Sequence, residues 1–316
     1  MSLTCSSGIR GGITYVLFET RRENNNMNHK VRNRIKFFIQ KYCPSLVMRV
    51  RFYKIYKLHL SLKKPKWFSE KVMWLKLYYY PNSEIAIKSG DKYGMRSYIT
   101  EQGFSDYLIP LYGVYNCVDE IDFNKFPSEF VLKKTNSAGD NLIVTNKDNL
   151  DFHKAKALMH NWMSTDIGIS SGARHYSKMK SRIICEKYIE GISEEIQIFC
   201  FHGEAKSFQI GTFEFEDSLN VGAFSKKTRI VKTYLNTEEV DLKMKNLEFE
   251  DLIKVAEVVS SNVPLVRVDF FESKGSFYLV ELTYTPGGGI QKGLSIEKQI
   301  QWGEWLQLPD KKRKRM

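Results

Sequence analysis

An arginine, two carboxylates and a threonine near the end of the chain have the spacing of a metal-binding hairpin. Arg267 and Asp269 lie two residues apart in one apolar stretch, and Glu281 and Thr283 do so in the next. Because side chains alternate along a strand, each pair shares one face. A turn at Lys274–Gly275 would bring Asp269 and Glu281 nearly opposite each other, and two facing carboxylates favour a cation such as Mg²⁺. The alternative is a structural pair, in which Arg267 only neutralises a carboxylate on a half-exposed sheet.

Three further segments suit a phosphate-bearing nucleotide. A glycine run at residues 286–289 follows the hairpin, and bare backbone amides there can contact an anionic ligand. The predicted strands FVLKK and NLIV flank a small-residue turn at 136–140, which makes a lysine-bearing flap able to cover phosphates. The segment CEKYIEG (185–191) leads from a strand into a linker, and offers backbone groups and a carboxylate to an adenine and its ribose. The flap and the linker are each common in proteins without nucleotides, so their order is more informative than either alone.

Other site chemistries lack their residue patterns in this sequence. There is no G-x-x-x-x-G-K-[ST] loop and no G-x-S-x-G elbow. The six histidines show no H-x-x-x-H spacing and the five cysteines no C-x-x-C pair, so neither zinc nor a disulfide framework is indicated. No apolar run approaches the roughly 20 residues of a membrane span, and no secretory signal is recognisable. We expect a cytoplasmic protein, peripheral at the inner face of the membrane if its basic arm binds there.

That basic arm is the segment 27–66. It holds 12 Lys or Arg and no Asp or Glu, which equals the net charge of +12 for the whole chain. A basic arm on a balanced body suggests an anionic surface as partner, such as a membrane leaflet or an acidic polysaccharide. Its interleaved aromatic residues fit a membrane-surface helix, whereas the alternative is a helix whose apolar face packs on the body. No compact nucleic-acid module is evident, so nucleic acid is not expected as a partner.

Hydrophobic periodicity and turn residues predict an α+β fold in five segments. They are a weakly structured leader (1–26, with Met27 a second candidate start), the basic helical arm (27–66, interrupted at Pro44), the N-terminal part of a catalytic unit (67–128), a nucleotide- and metal-binding region (129–310) and a basic tail (311–316). The predicted helices are 67–80, 91–103, 148–163, 247–260 and 296–306, and the predicted strands are 129–135, 141–145, 182–189, 195–201, 205–213, 264–272 and 276–284.

Taken in order, the flap, the linker and the carboxylate hairpin resemble the ATP-grasp superfamily. The wider wording resembles the TupA-like ATP-grasp family over about residues 64–309, in the motifs KPKWFSEKVMWLKLYYY, DKYGMRSYI, FVLKK, RIICEKYI, FCFHG, VRVDFF and VELTYTP. That family is tied to bacterial teichuronopeptide and other surface-polysaccharide synthesis. The resemblance implies an ATP-grasp fold with an N-terminal basic helical extension, the cofactors ATP and Mg²⁺, and a carboxylate–amine ligase that acts through an acyl phosphate. The implied substrates are an anionic glycan, an amino acid or a uronic acid.

The resemblance also implies nucleotide-binding roles position by position. Lys92 matches the first phosphate-contacting lysine of ATP-grasp enzymes, and Lys133 matches the second. Lys134 would point to the other side of the strand, and the choice between the two neighbours stays open. The positions that match the adenine hinge and the ribose contact are Glu186, Lys187, Ile189 and Glu195.

At the hairpin, the resemblance makes Asp269 and Glu281 the magnesium ligands. Thr283 stands where many ATP-grasp enzymes have a metal-binding asparagine. Arg267 matches the arginine that faces the transferred phosphate.

The sequence departs from the family pattern in two places. The flap turn reads NSAGD where relatives have more glycine and a histidine, which would weaken closure over phosphate. Gln197 stands where a lysine is expected, which would alter the choice of acceptor. Two other functions therefore stay open: a glycan-modifying transferase of the same pathway, either a kinase or a glycosyltransferase, and a non-catalytic nucleotide-binding scaffold. The thinned flap favours the scaffold, whereas the complete hairpin set disfavours it.

Overall fold

In the computed structural model, the described residues are 34–35, 37–217, 221–234, 249–291 and 293–310, with the backbone alone for 213–217 and 224–234. The predicted leader 1–26 and basic tail 311–316 lie outside the described residues. Within the described part of the chain, no helix is both long and apolar enough to cross a membrane.

The α-helices are α1 (Pro44–Tyr56), α2 (Phe68–Trp74), α3 (Glu84–Ser89), α4 (Lys92–Glu101), α5 (Phe152–Met163), α6 (Ile167–Ser171), α7 (Phe249–Ser260) and α8 (Ile296–Trp305). The strands are β1 (Leu111–Tyr115), β2 (Phe130–Lys134), β3 (Asn141–Val144), β4 (Ile183–Lys187), β5 (Ile192–Phe201), β6 (Glu204–Asp217), β7 (Phe224–Tyr234), β8 (Leu265–Ser273) and β9 (Ser276–Thr283). This mixture confirms the predicted α+β class.

The described strands form one nine-stranded sheet that consists of two groups of neighbouring strands. The order is β1-β4-β2-β3-β7-β6-β5-β8-β9, and the described neighbours pair antiparallel. The first four strands and the last five meet through one register pair, Ile143 with Phe224. Each group has its own apolar core: Leu132 and Met159 lie in the core under β2–β4, and Val268 and Trp302 in the core under β5–β9. The junction between the two groups therefore leaves room for a cleft.

Several predicted element boundaries differ from those in the structure. The helix predicted from residue 148 begins at Phe152, because the Asp151 carboxylate accepts a hydrogen bond from the backbone N–H of Lys154. The helix predicted over 67–80 ends as α2 at Trp74 and continues as a π turn and a short 3-10 turn. Strands β1 and β7 and helices α3 and α6 are absent from the sequence prediction.

Within the described part of the basic arm, helical structure extends to Tyr56 and breaks where Pro44 interrupts it, whereas residues 57–66 of the predicted helical arm are not helical. Residues 37–42 form one helical segment, Cys43 is not helical, and α1 then begins with Pro44 in its first turn. A proline fits there because its missing N–H would have no intrahelical partner. Helix α1 ends at Lys57, which has a left-handed backbone with φ of 57°.

Candidate functional site

A cavity of about 460 Å³ lies between the two strand groups. Strands β5, β8 and β9 contribute its charged wall, and β2, β3 and the flap turn contribute the facing wall. It brings together seven of the residues that the sequence singles out, namely Lys92, Lys133, Lys187, Ile189, Glu195, Arg267 and Glu281. Three others, Glu186, Asp269 and Thr283, lie behind or beside this lining.

The carboxylate hairpin has the predicted register. Asp269 on β8 pairs directly with Glu281 on β9, and the register shifts immediately beyond this pair. The chain reverses at Lys274 and Gly275, whose φ values of 51° and 82° fit a tight two-residue turn that twists with its strands. A one-residue slip would have put the two carboxylates on opposite faces.

Arg267 and Asp269 form a buried two-pronged ion pair. The Arg267 Nε donates to Asp269 Oδ1 at 2.7 Å, and the second guanidinium nitrogen donates to Oδ2 at 2.6 Å. The same guanidinium lies 3.3 Å from the Thr283 hydroxyl. Burial raises the pKa of Asp269 above its usual range, and the neighbouring Glu195 and Glu281 act in the same direction against the lowering effect of Arg267. The pairing foreseen as a structural alternative is therefore present.

Lys92 connects the flap to the hairpin. Asp91 caps α4 by accepting hydrogen bonds from two backbone N–H groups of the first turn, which fixes Lys92 as the first helical residue. The Lys92 Nζ donates to the backbone oxygen of Ser137 in the flap at 2.7 Å and lies 3.7 Å from Glu281 Oε1. One ammonium group thus faces both the flap and the carboxylate pair.

Lys133 and Lys134 point to opposite sides of β2, as the alternation of a strand requires. Lys133 lines the cavity, and its Nζ donates to Glu186 Oε2 at 2.6 Å. Lys134 is fully buried away from the cavity, and its Nζ donates to the backbone oxygens of Trp162 and Thr165 at 2.6 Å each. Of the two neighbours, only Lys133 is placed to contact a ligand in the cavity.

Glu186 is a partner of cations and does not line the cavity. The Glu186 Oε1 accepts a hydrogen bond from Arg96 at 3.1 Å, and Arg96 also donates to the backbone oxygen of Ile109 at 2.7 Å. Arg96 is not among the residues that the sequence pattern singles out, although it lies within the motif DKYGMRSYI. The available signal was its position four residues after Lys92 on one helix, because such residues lie on the same face.

One part of the cavity is apolar. Ile109, Ile189 and Phe271 form a small cluster of their own, against which Ile192 and Val280 pack. All five residues line the cavity, and the linker residues Lys187 and Tyr188 lie beside them. An apolar slot next to clustered cations can hold a planar ring that carries phosphates.

Gln197 has a buried side-chain oxygen without a hydrogen-bond partner among the described residues. It lies opposite Asp269 in the register of β5 and β8, and its side chain lines the cavity. It is only 4% exposed, and its Oε1 has no hydrogen-bond partner among the described residues. A buried oxygen of this kind can accept a hydrogen bond from a ligand.

The hairpin residues fit a magnesium ion that shares its coordination with a ligand. Glu281 lines the cavity and Asp269 lies opposite it behind the lining, where one Asp269 oxygen would exchange its bond with Arg267 for the ion; the Thr283 hydroxyl lies 3.4 Å from Asp269 Oδ2. Among the described residues there is no group of three or more histidine, cysteine or acidic side chains able to hold a metal alone. Mg²⁺ commonly takes one or two carboxylates and completes its shell with phosphate oxygens and water.

Solved structures of several ligases resemble this chain at low identity. A D-alanine–D-alanine ligase from Bacillus anthracis complexed with ATP is 18% identical with a TM-score of 0.41, over 69% of this chain and 61% of the ligase. An N5-carboxyaminoimidazole synthetase from Staphylococcus aureus complexed with ADP is 14% identical with a TM-score of 0.43, over 71% of this chain and 53% of the synthetase. An L-amino acid ligase from Bacillus licheniformis is 14% identical with a TM-score of 0.38, over 65% of this chain and 42% of the ligase. This chain thus spans less than two thirds of the length of each.

The family comparison covers the part of the chain that builds the cavity. No curated protein matches the sequence. The profile described as TupA-like ATPgrasp matches residues 70–306, which include the flap, the linker and the carboxylate hairpin. The resemblance noted from the motifs is therefore confirmed, and the chain belongs to the TupA-like ATPgrasp family.

Proposed function

We propose that this protein is an ATP-dependent carboxylate–amine ligase that works through an acyl phosphate. The observation that carries the proposal is the convergence of Lys92, Lys133 and Arg267 with Glu281 on one cavity that also has an apolar slot. Membership of the TupA-like ATPgrasp family supports ATP as the phosphate source.

The cavity suits the two parts of ATP separately. Ile109, Ile189 and Phe271 would contact the adenine ring, because a planar base gains most from an apolar slot. Lys92 and Lys133 would hold the phosphates, which carry the negative charge. Lys133 would exchange part of its contact with Glu186 for the ligand, while Arg96 keeps that carboxylate neutralised.

The proposed reaction has two steps. A substrate carboxylate oxygen attacks the γ-phosphorus of ATP, the bond from that phosphorus to the bridging oxygen breaks, and ADP leaves. An amine nitrogen then attacks the acyl carbon, the carbon–oxygen bond to phosphate breaks, and phosphate leaves while the nitrogen loses a proton. Mg²⁺ held by Asp269 and Glu281 would supply charge neutralisation at the phosphates. Arg267 lies next to Glu281 on the cavity wall and would stabilise the charge that develops on the transferred phosphate.

The biological setting of the proposal is bacterial surface-polysaccharide synthesis. It rests on the link between the TupA-like family and teichuronopeptide, and it makes an amino acid or a uronic acid the carboxylate donor. The second substrate would then be an amine on an amino acid or on an anionic glycan. Gln197, which replaces an expected lysine, would present a neutral acceptor of hydrogen bonds to that substrate.

The test is to measure ADP release with panels of amines and carboxylates, each alone and in pairs. A ligase releases ADP at a high rate only when both substrates are present, and the product contains a new amide. ADP release with a glycan alone, with phosphate retained on it, would instead identify a kinase. Binding of ATP with no ADP release under any pairing would favour a nucleotide-binding scaffold. Glu204→Gln, a change at an exposed carboxylate on β6 outside the cavity lining, is the matched control for Glu281→Gln.

A further inference from the structure

Large exposed apolar side chains are concentrated on the basic arm. Nine of the fifteen such residues among the described part of the chain fall between Ile35 and Leu58. The most exposed of them include Phe38 (61%), Tyr42 (59%) and Leu46 (51%). Single exposed apolar residues are ordinary, but a contiguous group of this size marks a contact surface.

Helix α1 has two apolar faces, and only one of them packs on the body. Met48 and Phe52 are buried in the core of the β5–β9 group. Leu46, Val50 and Tyr53, which we call the arm stripe, are each about half exposed. At 100° per residue the arm stripe lies on the side of the helix opposite to Met48 and Phe52. The packing interpretation of the arm therefore holds for one face, and the membrane-surface interpretation stays a prediction for the other.

Cations flank the arm stripe. Arg49 and Lys54 lie on either side of it by the same helical geometry, and Lys41 lies in the helical segment that precedes α1. All three are exposed, and the arm from 27 to 66 contains no acidic residue to neutralise them. The surface thus offers half-exposed apolar side chains flanked by positively charged side chains.

We propose that the arm stripe and its flanking cations bind the surface of an anionic lipid bilayer. Such a surface meets both requirements, because its headgroups attract the cations while the acyl boundary accepts the apolar side chains. Nucleic acid would match the charge but would leave the aliphatic Leu46 and Val50 in water. A second copy of this chain would match the apolar stripe but would bring two sets of cations together without acids between them.

The test uses the full chain and vesicles of phosphatidylcholine, with and without phosphatidylglycerol, in a sedimentation assay at low salt. Binding is expected to the anionic vesicles only. A Leu46→Ser/Val50→Ser variant should lose most of that binding, and each of Lys41→Gln and Lys54→Gln should weaken it about fivefold, the ratio that corresponds to about 1 kcal/mol for a cation at an anionic leaflet. Added salt should release the intact protein because the attraction is screened.

A matched control separates this surface from general stickiness. Ile296 and Ile300 on α8 are also exposed, at 59% and 45%, and an Ile296→Ser/Ile300→Ser variant should bind vesicles as the unmodified chain does. Thermal unfolding of each variant shows whether the fold is intact, which is expected because all the changed side chains are exposed. Equal loss in the α8 control, equal binding to neutral vesicles, or no vesicle binding at any salt concentration would overturn the proposal. So would a dimer in sedimentation equilibrium that Leu46→Ser/Val50→Ser dissociates, or stronger binding to a nucleic-acid duplex than to anionic vesicles.

Discussion

At the scale of single residues, the buried ion pairs of the site both neutralise charge in the fold and contain residues of the predicted ligand-binding set. Arg267 neutralises Asp269 in the fold, and both also belong to the predicted phosphate and metal set. Glu186 similarly lies between Arg96 and Lys133. Removal of one member of such a pair leaves an uncompensated buried charge, so these side chains cannot be tested by activity alone.

Asp269→Asn should therefore destabilise the fold more than Glu281→Gln does. Asp269 is fully buried and holds Arg267 with both oxygens, whereas the Glu281 side chain is 28% exposed. We expect Asp269→Asn to cost about 3 kcal/mol of unfolding free energy and Glu281→Gln well under half of that. Urea denaturation of the two variants gives the comparison. Equal losses would mean that the Arg267–Asp269 pair contributes little to stability.

The two neighbouring lysines of β2 should separate ligand binding from folding. Lys133→Ala should weaken ATP binding about tenfold or more with a small change in stability, because its ammonium lines the cavity and Arg96 still pairs with Glu186 after the change. Lys134→Ala should leave ATP binding intact but cost about 2 kcal/mol, since it removes two buried hydrogen bonds to the end of α5 and the following turn. Calorimetric titration and urea denaturation on both variants check this. The reverse pattern would show that β2 binds its ligand in the other register.

Residue-level prediction from the sequence worked where period-two alternation decides the outcome. The facing of Asp269 and Glu281 follows from a two-residue turn and strand geometry, both visible in the sequence. The partner of Glu186 could not be predicted, because Arg96 lies 90 residues away along the chain and meets it only in the folded protein. The two hydrogen bonds from Arg267 to Asp269 could not be predicted either, since a sequence does not show how deeply a carboxylate is buried.

At the scale of elements, the local hairpins were predictable and the long-range partners were not. Strands β2 and β3 and strands β8 and β9 are joined by short turns with clear turn residues. Strand β7 (FSKKTRIVKTY) carries four Lys or Arg and does not read as a buried strand, and it is held by its pairing with β6. Helix α1 shows the same limit, because two opposed apolar faces give no single hydrophobic stripe.

Adjacent aromatic residues on α1 should differ sharply in their effect on stability. Phe52 is 1% exposed in the core, and Tyr53 is 49% exposed on the arm stripe. Phe52→Ala should cost about 3–5 kcal/mol through lost burial and the cavity that it leaves. Tyr53→Ala should stay within about 0.5 kcal/mol. Denaturation curves for the two variants decide the matter, and similar losses would show that the arm stripe is covered by another part of the chain.

This packing changes how the arm should be studied. Met48, Leu60 and Leu62 also lie in the core, so deletion of residues 27–66 would remove core side chains together with the cations. From the sequence alone, the arm is one unit that either packs on the body or binds a surface. Point substitutions on the exposed face keep the fold and test the surface alone.

At the scale of the whole molecule, two cores meet around one cavity, and a histidine buried beside the larger core makes the stability of the fold depend on pH. His175 is fully buried, with aromatic neighbours Tyr80, Tyr176 and Tyr284, and neither ring nitrogen has a partner among the described residues. Burial and the nearby Lys76 lower the pKa of His175 from its usual 6.5 to about 3.

The pH dependence of stability follows from the difference between the folded and unfolded states. Below pH 6.5 the unfolded chain binds a proton at His175, whereas the folded chain does not until about pH 3. The free energy of unfolding should therefore fall with decreasing pH across this window, by up to about 1.4 kcal/mol for each pH unit from this residue. His175→Phe should show a correspondingly shallower decline in urea denaturation at a series of pH values. Parallel declines in both proteins would mean that His175 is protonated in the fold.

The most direct test of the central claim, that the cavity binds ATP with a metal at the carboxylate hairpin, is calorimetric titration of ATP with Mg²⁺ and again with a chelator. The unmodified chain should bind ATP more tightly with Mg²⁺. Glu281→Gln should lose most of that difference, because it removes one of the two facing carboxylates. Glu204→Gln, changed at an exposed carboxylate of β6, should keep it. An equal Mg²⁺ effect in Glu281→Gln and the unmodified chain, or no ATP binding to the unmodified chain, would contradict the account.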